Sequence, residues 1–218
     1  MNVTLLSENR QRPVRRRVYI GGLHTYPELI MPVHTFLLKR VSTPIGRMLV
    51  LTDAQDNLRA VDWEDYESRM HLLLQRQYGR GAVQLQDASQ PSQASRALQA
   101  YFDGDVDAIT DLPVAFGGTP FQQQVWHALR GIDGGCTVSY GTLAARISRP
   151  TAVRAVGLAN GANPVGIVIP CHRVIGGNAA LTGYGGGLHR KRWLLAHEAG
   201  WRSAQPSSSA PSALSTTG

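Results

Sequence analysis

Residues 163–174, Asn-Pro-Val-Gly-Ile-Val-Ile-Pro-Cys-His-Arg-Val, constrain the chain more than any other stretch. An Asx-Pro pair opens it as a turn. The mostly β-branched run 165–169, bounded by two prolines, reads as a short buried extended segment. It delivers Cys171 and His172 side by side, with Arg173 next. Cysteine is a good nucleophile as thiolate, and a neighbouring imidazole or guanidinium favours that form. On these residues alone a buried structural cysteine fits equally well, because cysteine is among the most buried residue types.

Charge separates the halves of the 218-residue chain. Residues 1–30 hold five arginines against two acidic residues, 31–115 hold eight basic against eleven acidic, and 116–200 hold eight basic against two acidic. The positive field sits on the part that carries Cys171, which suggests a polyanion partner for it. No apolar run approaches the ~18 residues of a membrane span. Two cysteines, Cys136 and Cys171, make neither a disulfide framework nor a cysteine-rich zinc site. A reducing cytosol is the expected compartment, at the nucleoid or in the nucleus according to source.

The pattern predicts four regions: 1–33 as a disordered or upstream-start leader, 34–112 as an α/β domain, 113–200 as a mostly helical domain, and 201–218 as a disordered tail rich in Ser, Ala, Pro and Thr. Runs at 35–41, 47–52 and 58–63, separated by turn-like sequences, read as a β-meander. Helices are expected over 65–78, with Met70, Leu73, Leu74 and Tyr78 on one side and Gly79 as stop, and over 92–102, with Ala94, Leu98, Tyr101 and Phe102 inward. Asp103, Asp105, Asp107 and Asp111 then read as a solvated acidic linker. Thr119-Pro120-Phe121-Gln122 is a capping-box start for a helix that turns Phe121, Val125 and Leu129 inward. Ser139 caps a short helix over 140–147, and a second follows over 151–160, a helix-turn-helix pattern. Small residues on the second helix, Ala152, Ala155, Gly157 and Ala159, let its backbone approach another surface, with Arg154 among them. The glycine-rich stretch 176–187 suits a loop around a flat ligand. Arg190-Lys191-Arg192 then precedes an apolar helix ending near Gly200.

Ile-Val-Ile-Pro-Cys-His-Arg-Val, with Asn163-Pro164 before it and Gly183-Tyr184-Gly185-Gly186-Gly187 and Trp193-Leu194-Leu195-Ala196-His197-Glu198 after it, resembles the O6-alkylguanine-DNA alkyltransferase family. The resemblance covers roughly 35–200. It implies an α+β architecture: an N-terminal ribonuclease-H-like α/β domain, then a mostly helical domain with a winged helix-turn-helix that enters the minor groove. It also implies repair by direct reversal. The damaged nucleotide is flipped out of the duplex, and its alkyl group passes irreversibly to a cysteine. Cys171 matches the acceptor, His172 the base that takes its proton through a water, and Glu198 the carboxylate that orients His172. Tyr140 matches the tyrosine that helps rotate the nucleotide and hydrogen-bonds guanine. Arg154 matches the residue inserted where the base leaves, and Thr151, Ala155 and Gly157 fall at DNA-facing positions. Asn163, Pro170 and Arg173 match positions that shape the active-site turn. Val174, Tyr184 and Gly185 match the borders of the base pocket, where the carbonyls of Cys171 and Val174 read the amino edge.

Glycine at 185 departs from relatives with a hydroxyl residue there and suggests a more open loop. Alkyl-size preference and O4-alkylthymine activity stay open. Asp133 stands where proline is usual, a change expected to affect loop rigidity more than chemistry. The resemblance implies no cofactor and, without the N-terminal cysteines of some relatives, no metal. The expected partner is double-stranded DNA containing alkylated bases, met by a monomer, with cooperativity open and no membrane involved. A non-reacting lesion-binding protein is the alternative, but that group replaces the acceptor cysteine. A Cys/His hydrolase is a third reading, although its dyad residues usually come from distant segments.

Overall fold

The computed structural model describes residues 33–205. The arginine-rich leader over 1–32 and the tail over 206–218 lie outside the described residues; Val33, assigned to the leader, is buried. The meander forms as the turn signals predict: β1 (His34–Thr43), β2 (Gly46–Thr52) and β3 (Leu58–Trp63) are antiparallel neighbours. A fourth strand, β4 (Val83–Asp87), pairs parallel with β1 and gives the order β3-β2-β1-β4. The sequence reading omits β4. Its Val-Gln-Leu-Gln-Asp pattern is short and largely exposed, and it becomes a strand because the β1 edge is there to pair with.

Both sheet faces are covered. α1 (Glu67–Tyr78) follows a 3-10 turn at Glu64–Tyr66 and places Met70 and Leu74 with Phe36, Leu38, Leu49 and Leu51 on one face. Gly79 ends it at φ 95°. α2 (Gln93–Phe102), capped by Ser92, packs Leu98, Tyr101 and Phe102 with Met48, Val50 and Val61 on the other. Burial on both faces explains the unalternating apolar run of β2.

The acidic stretch is not a solvated linker. Val106–Ile109 forms a 3-10 turn, and Val106, Ile109 and Leu112 are buried in the core shared with the C-terminal half. Apolar residues at three-residue spacing sit inward while the aspartates Asp103, Asp107 and Asp111 face out. α3 (Pro120–Arg130) begins on a complete capping box, with Thr119 accepting from Gln122 and Gln122 accepting from Thr119. Val125, Trp126 and Leu129 are buried, whereas Phe121 is half-buried. α4 (Tyr140–Arg146) starts on the predicted Ser139 cap. α5 (Val153–Gly161) starts two residues later than expected and has no side-chain cap.

α6 (Leu188–Ala204) differs most from expectation. The basic triplet lies inside the helix, and Arg190 and Lys191 are buried. The helix continues through Gly200, so residues 201–204 are not tail. Arg202 anchors this last turn by donating to the Gly134 carbonyl at 3.1 Å.

The run 165–169 is buried, as predicted, but not extended. Only Val165 bridges to a strand, beside Val61 at the β3 edge. Val61 N donates to Pro164 O and Gly166 N to Val61 O, both at 3.0 Å. The chain then turns, with Ile167 at φ 68°, into a 3-10 turn at Cys171–Arg173. Two-residue strands β5 (Val138–Ser139) and β6 (Val174–Ile175) pair in parallel beyond it. Arg190 supplies a second tie between the halves. Its guanidinium donates to Ile45 O, Asp65 and Gly186 O and lies 4.3 Å over the Trp63 ring. Arg190→Ala should therefore destabilise the protein by about 2 kcal/mol and speed amide exchange in the 182–187 loop. Urea denaturation and hydrogen exchange check this; unchanged exchange would remove the tie.

Candidate active site

Asn163 builds the turn that presents the cysteine. Its Oδ1 accepts from Val165 N at 3.0 Å and its Nδ2 donates to Ile169 O at 2.8 Å, closing the loop from inside. A β-branched residue at positive φ is strained. Ile167 holds that conformation while 1% exposed, because Asn163 and the Val61 bridge fix both ends of its loop.

Glu198 is the hub behind the cysteine. It is fully buried and accepts from Tyr101 Oη at 2.8 Å, from Arg173 Nε and Nη2 at 2.9 Å each, and from Gly135 N at 3.3 Å. It also takes His172 Nε2 at 2.8 Å. Burial raises its pKa, but His172 and Arg173 outweigh burial and hold the carboxyl well below its usual range. Gly135 stands at φ 69°, and a Cβ there would lie 2.8 Å from Glu198 O, so the turn must be glycine to approach α6. Burial lowers the pKa of His172, outweighing the opposing pull of Glu198. The imidazole is thus neutral at pH 7. Because ionised Glu198 only accepts, Nε2 carries the hydrogen and Nδ1 keeps a lone pair. Nδ1 is buried without a protein hydrogen-bond partner among the described residues.

Cys171 is 8% exposed. Burial pushes its thiol above the ordinary value of 9.0, while the Asn163 side chain, Arg69 and Lys191 pull it down. A thiol in that state is protonated at neutral pH and needs a base. Arg173, which adjacency places beside the thiol, turns instead onto Glu198 and Ile132 O. Lys191 Nζ donates to Val174 O at 2.7 Å and Thr182 O at 3.0 Å, joining the strand after the cysteine to the glycine-rich loop. Tyr184 stands edge-on to His172, ring centroids 6.5 Å apart. Pro170 and Val174 are buried beside Cys171. The loop at Gly185 is not open: the Arg69 guanidinium fills the space a side chain would take there.

The helix-turn-helix forms a separate, exposed face. Thr151, Arg154 and Ala155 are exposed, and Leu158 is 72% exposed. Gly157 brings α5 against the Tyr140 ring, 3.9 Å from where its Cβ would be. The Tyr140 hydroxyl accepts from Thr182 Oγ1 at 3.2 Å. Tyr140 thus joins this face to the loop bordering Cys171. Among the described residues, no three His, Cys, Asp or Glu side chains gather as a metal site requires, and no helix is long and apolar enough to cross a membrane.

A family model described as 6-O-methylguanine DNA methyltransferase, ribonuclease-like domain, matches residues 35–116, and one for the DNA binding domain of the same proteins matches 120–200. The chain is 51% identical over 162 residues to the methylated-DNA–protein-cysteine methyltransferase of Salmonella typhimurium, covering 74% of this chain and 95% of that protein. It is 43% identical to the protein of that name from Haemophilus influenzae, covering 70% and 80%. Among solved structures it is similar to Mycobacterium tuberculosis OGT in complex with DNA, with TM-score 0.61 and 38% identity over 77% of this chain and 94% of that one.

The chain belongs to the 6-O-methylguanine DNA methyltransferase family.

Four groups around this methyltransferase-family site escape sequence reasoning. Tyr101 lies 97 positions from Glu198, and Arg69 lies on the other domain. Asn160, whose Nδ2 donates to Cys171 O at 3.5 Å, reads as a helix end. Lys191 looks like part of a solvated basic flank. Only a buried-lysine spacing on α6 relative to Leu194 and Glu198 could have flagged it.

The pKa shifts predict acid lability in two stages. The unfolded chain takes up the His172 proton below its ordinary value of 6.5 while the folded state resists it, so stability falls as pH drops from there. Glu198 adds a second loss below its ordinary 4.5, as protonation removes its contacts. Glu198→Gln should flatten the lower stage and destabilise the protein by about 3 kcal/mol at pH 7. Urea midpoints across pH 7 to 3 test this; a flat profile for the native protein would contradict it.

Proposed function

We infer that this protein repairs DNA by direct reversal, moving the alkyl group from O6 of guanine to Cys171. The observation that carries this reading is the Cys171–His172 pair, held on buried Glu198, in a chain matching the family over both halves. Arg154, on the exposed face of α5, enters the duplex where the nucleotide leaves, and Thr151, Ala155 and Gly157 border the DNA. Tyr140 meets the extruded guanine. The Cys171 and Val174 carbonyls read its amino edge, and Tyr184 and Gly185 border the pocket.

His172 Nδ1 takes the thiol proton through a water, and Glu198 stabilises the resulting imidazolium. The thiolate attacks the alkyl carbon. A carbon–sulfur bond forms, the carbon–O6 bond breaks, and its electron pair stays on guanine, which is reprotonated. The thioether has no good leaving group, so each molecule reacts once. Phosphate contacts from the basic C-terminal half make binding salt-sensitive and weakly sequence-specific.

Product should rise to one equivalent per active protein and plateau, with mass spectrometry finding the alkyl group on the peptide containing Cys171. Cys171→Ser should abolish transfer and leave DNA binding largely intact. Multiple turnovers, or alkyl on Cys136, would overturn the assignment. Arg154→Ala should slow repair in duplex DNA by on the order of tenfold or more, and far less on the free O6-alkylguanine base, because extrusion is needed only from the stack. Equal losses on both substrates would remove the wedge role.

A further inference from the structure

We propose that Arg69, carried by α1 of the ribonuclease-like half, is a positioning residue for alkyl transfer: its guanidinium holds the Gly185 backbone at the pocket border and presents a cation to the Cys171 thiol. Glycine at 185 is the counterpart that makes room for it. This inference rests on Cys171 being the alkyl acceptor.

The contact is tight and specific. A Cβ at Gly185 would lie 2.3 Å from Arg69 Nη1, 2.5 Å from Cζ and 2.9 Å from Nη2. The guanidinium therefore lies against the glycine Cα, leaving no space for a side chain. Behind it, Nη2 donates to Asp62 Oδ1 at 3.0 Å. Asp62 is itself 3% exposed and is held by the Trp63 N–H. Arg69 Nε is buried without a protein partner among the described residues, a donor left over by the Asp62 pair. Guanidinium groups elsewhere near the site are committed: Arg173 to Glu198 and Ile132 O, Arg190 to Ile45 O, Asp65 and Gly186 O. Lys191 is occupied by two carbonyls.

The charged and titratable groups around the thiol are Arg69 on α1, Lys191 on α6 and Tyr184 on the loop, with Asp62 on β3 behind Arg69 and the His172–Glu198 pair following in the chain. Of the two cations, Arg69 has the greater effect in lowering the thiol pKa. Tyr184 is pushed strongly upward, by burial first and by Cys171, and stays neutral. Removing the Arg69 charge leaves burial less opposed, so less thiolate forms at a given pH.

The test compares Arg69→Gln and Arg69→Lys with the native protein. Single-turnover transfer from duplex DNA holding O6-methylguanine is measured across pH. Iodoacetamide labelling of Cys171 without DNA is measured in parallel, in a Cys136→Ser background. Arg69→Gln should slow both by on the order of tenfold at pH 7, with the rates converging at high pH. Arg69→Lys, which keeps the charge, should retain the native pH profile more closely. A uniform drop at every pH, or none, would overturn the charge role. In the second arm, Gly185→Ala should slow transfer in the native background and add little in Arg69→Ala. An equal loss in both backgrounds would show that Arg69 is not what requires glycine there. If the native protein transfers no alkyl group while the iodoacetamide profile still shifts, the proposed function fails and the Arg69 effect stands.

Discussion

The carboxylate of Glu198 is fully buried, and a charge so placed is tolerable only while its lone pairs are matched by donors. The donors come from α2 through Tyr101, from the 133–136 turn through Gly135, and from the 3-10 turn through His172 and Arg173. One buried charge thus fixes the mutual positions of four segments. The Arg173 fork supplies two of these hydrogen bonds, which is why that residue is unavailable to the thiol next door. His172 benefits indirectly. Burial, with Arg173 cationic close by, keeps the imidazole neutral against the pull of ionised Glu198, and its tautomer is decided by the one contact it makes with Glu198.

The turn that presents Cys171 draws its geometry from elsewhere. Ile167 at φ 68° is an unfavourable conformation for a β-branched residue. It persists because the sheet edge at Val61 clamps one side of the loop and the Asn163 amide ties the interior. The ribonuclease-like half is therefore part of the site. Its β3 pairs with the segment before the cysteine, its Trp63 and Asp65 receive Arg190, and its α1 brings Arg69 to the glycine-rich loop. The shared core around Val106, Ile109 and Leu112 makes these contacts stable rather than incidental.

Division of labour follows from where charge can be solvated. Exposed Arg154 and the small residues of α5 form a face suited to a polyanion, since they keep their charge and backbone accessible. Behind it, Tyr140 rests on Gly157 and is hydrogen-bonded to Thr182, whose carbonyl is held by buried Lys191. This chain of contacts joins the exposed helix to the segment that carries buried Cys171.

The sequence by itself determined the local features. The meander, the Thr119 capping box, the Ser139 cap and the Gly79 stop are all set by residues a few positions apart, and each appears where the pattern places it. The Asn163-Pro164 turn was likewise legible, because Asn163 bonds only to chain neighbours, Val165 and Ile169, and the motif set His172 beside Cys171; Glu198 was legible through the family resemblance, although its partners were not. What only the tertiary structure decided depends on burial and on contacts between distant segments. β4 became a strand because an edge was available, and the run 165–169 became a coiled turn because one residue of it pairs with β3. Lys191 became a buried staple, and Arg173 was drawn to Glu198 rather than to Cys171. Arg69 sits 102 positions before Cys171, and no periodicity or spacing links them. Folding brings them together through the packing of α1 on the sheet, and the energy of a charge depends on what surrounds it in space rather than along the chain.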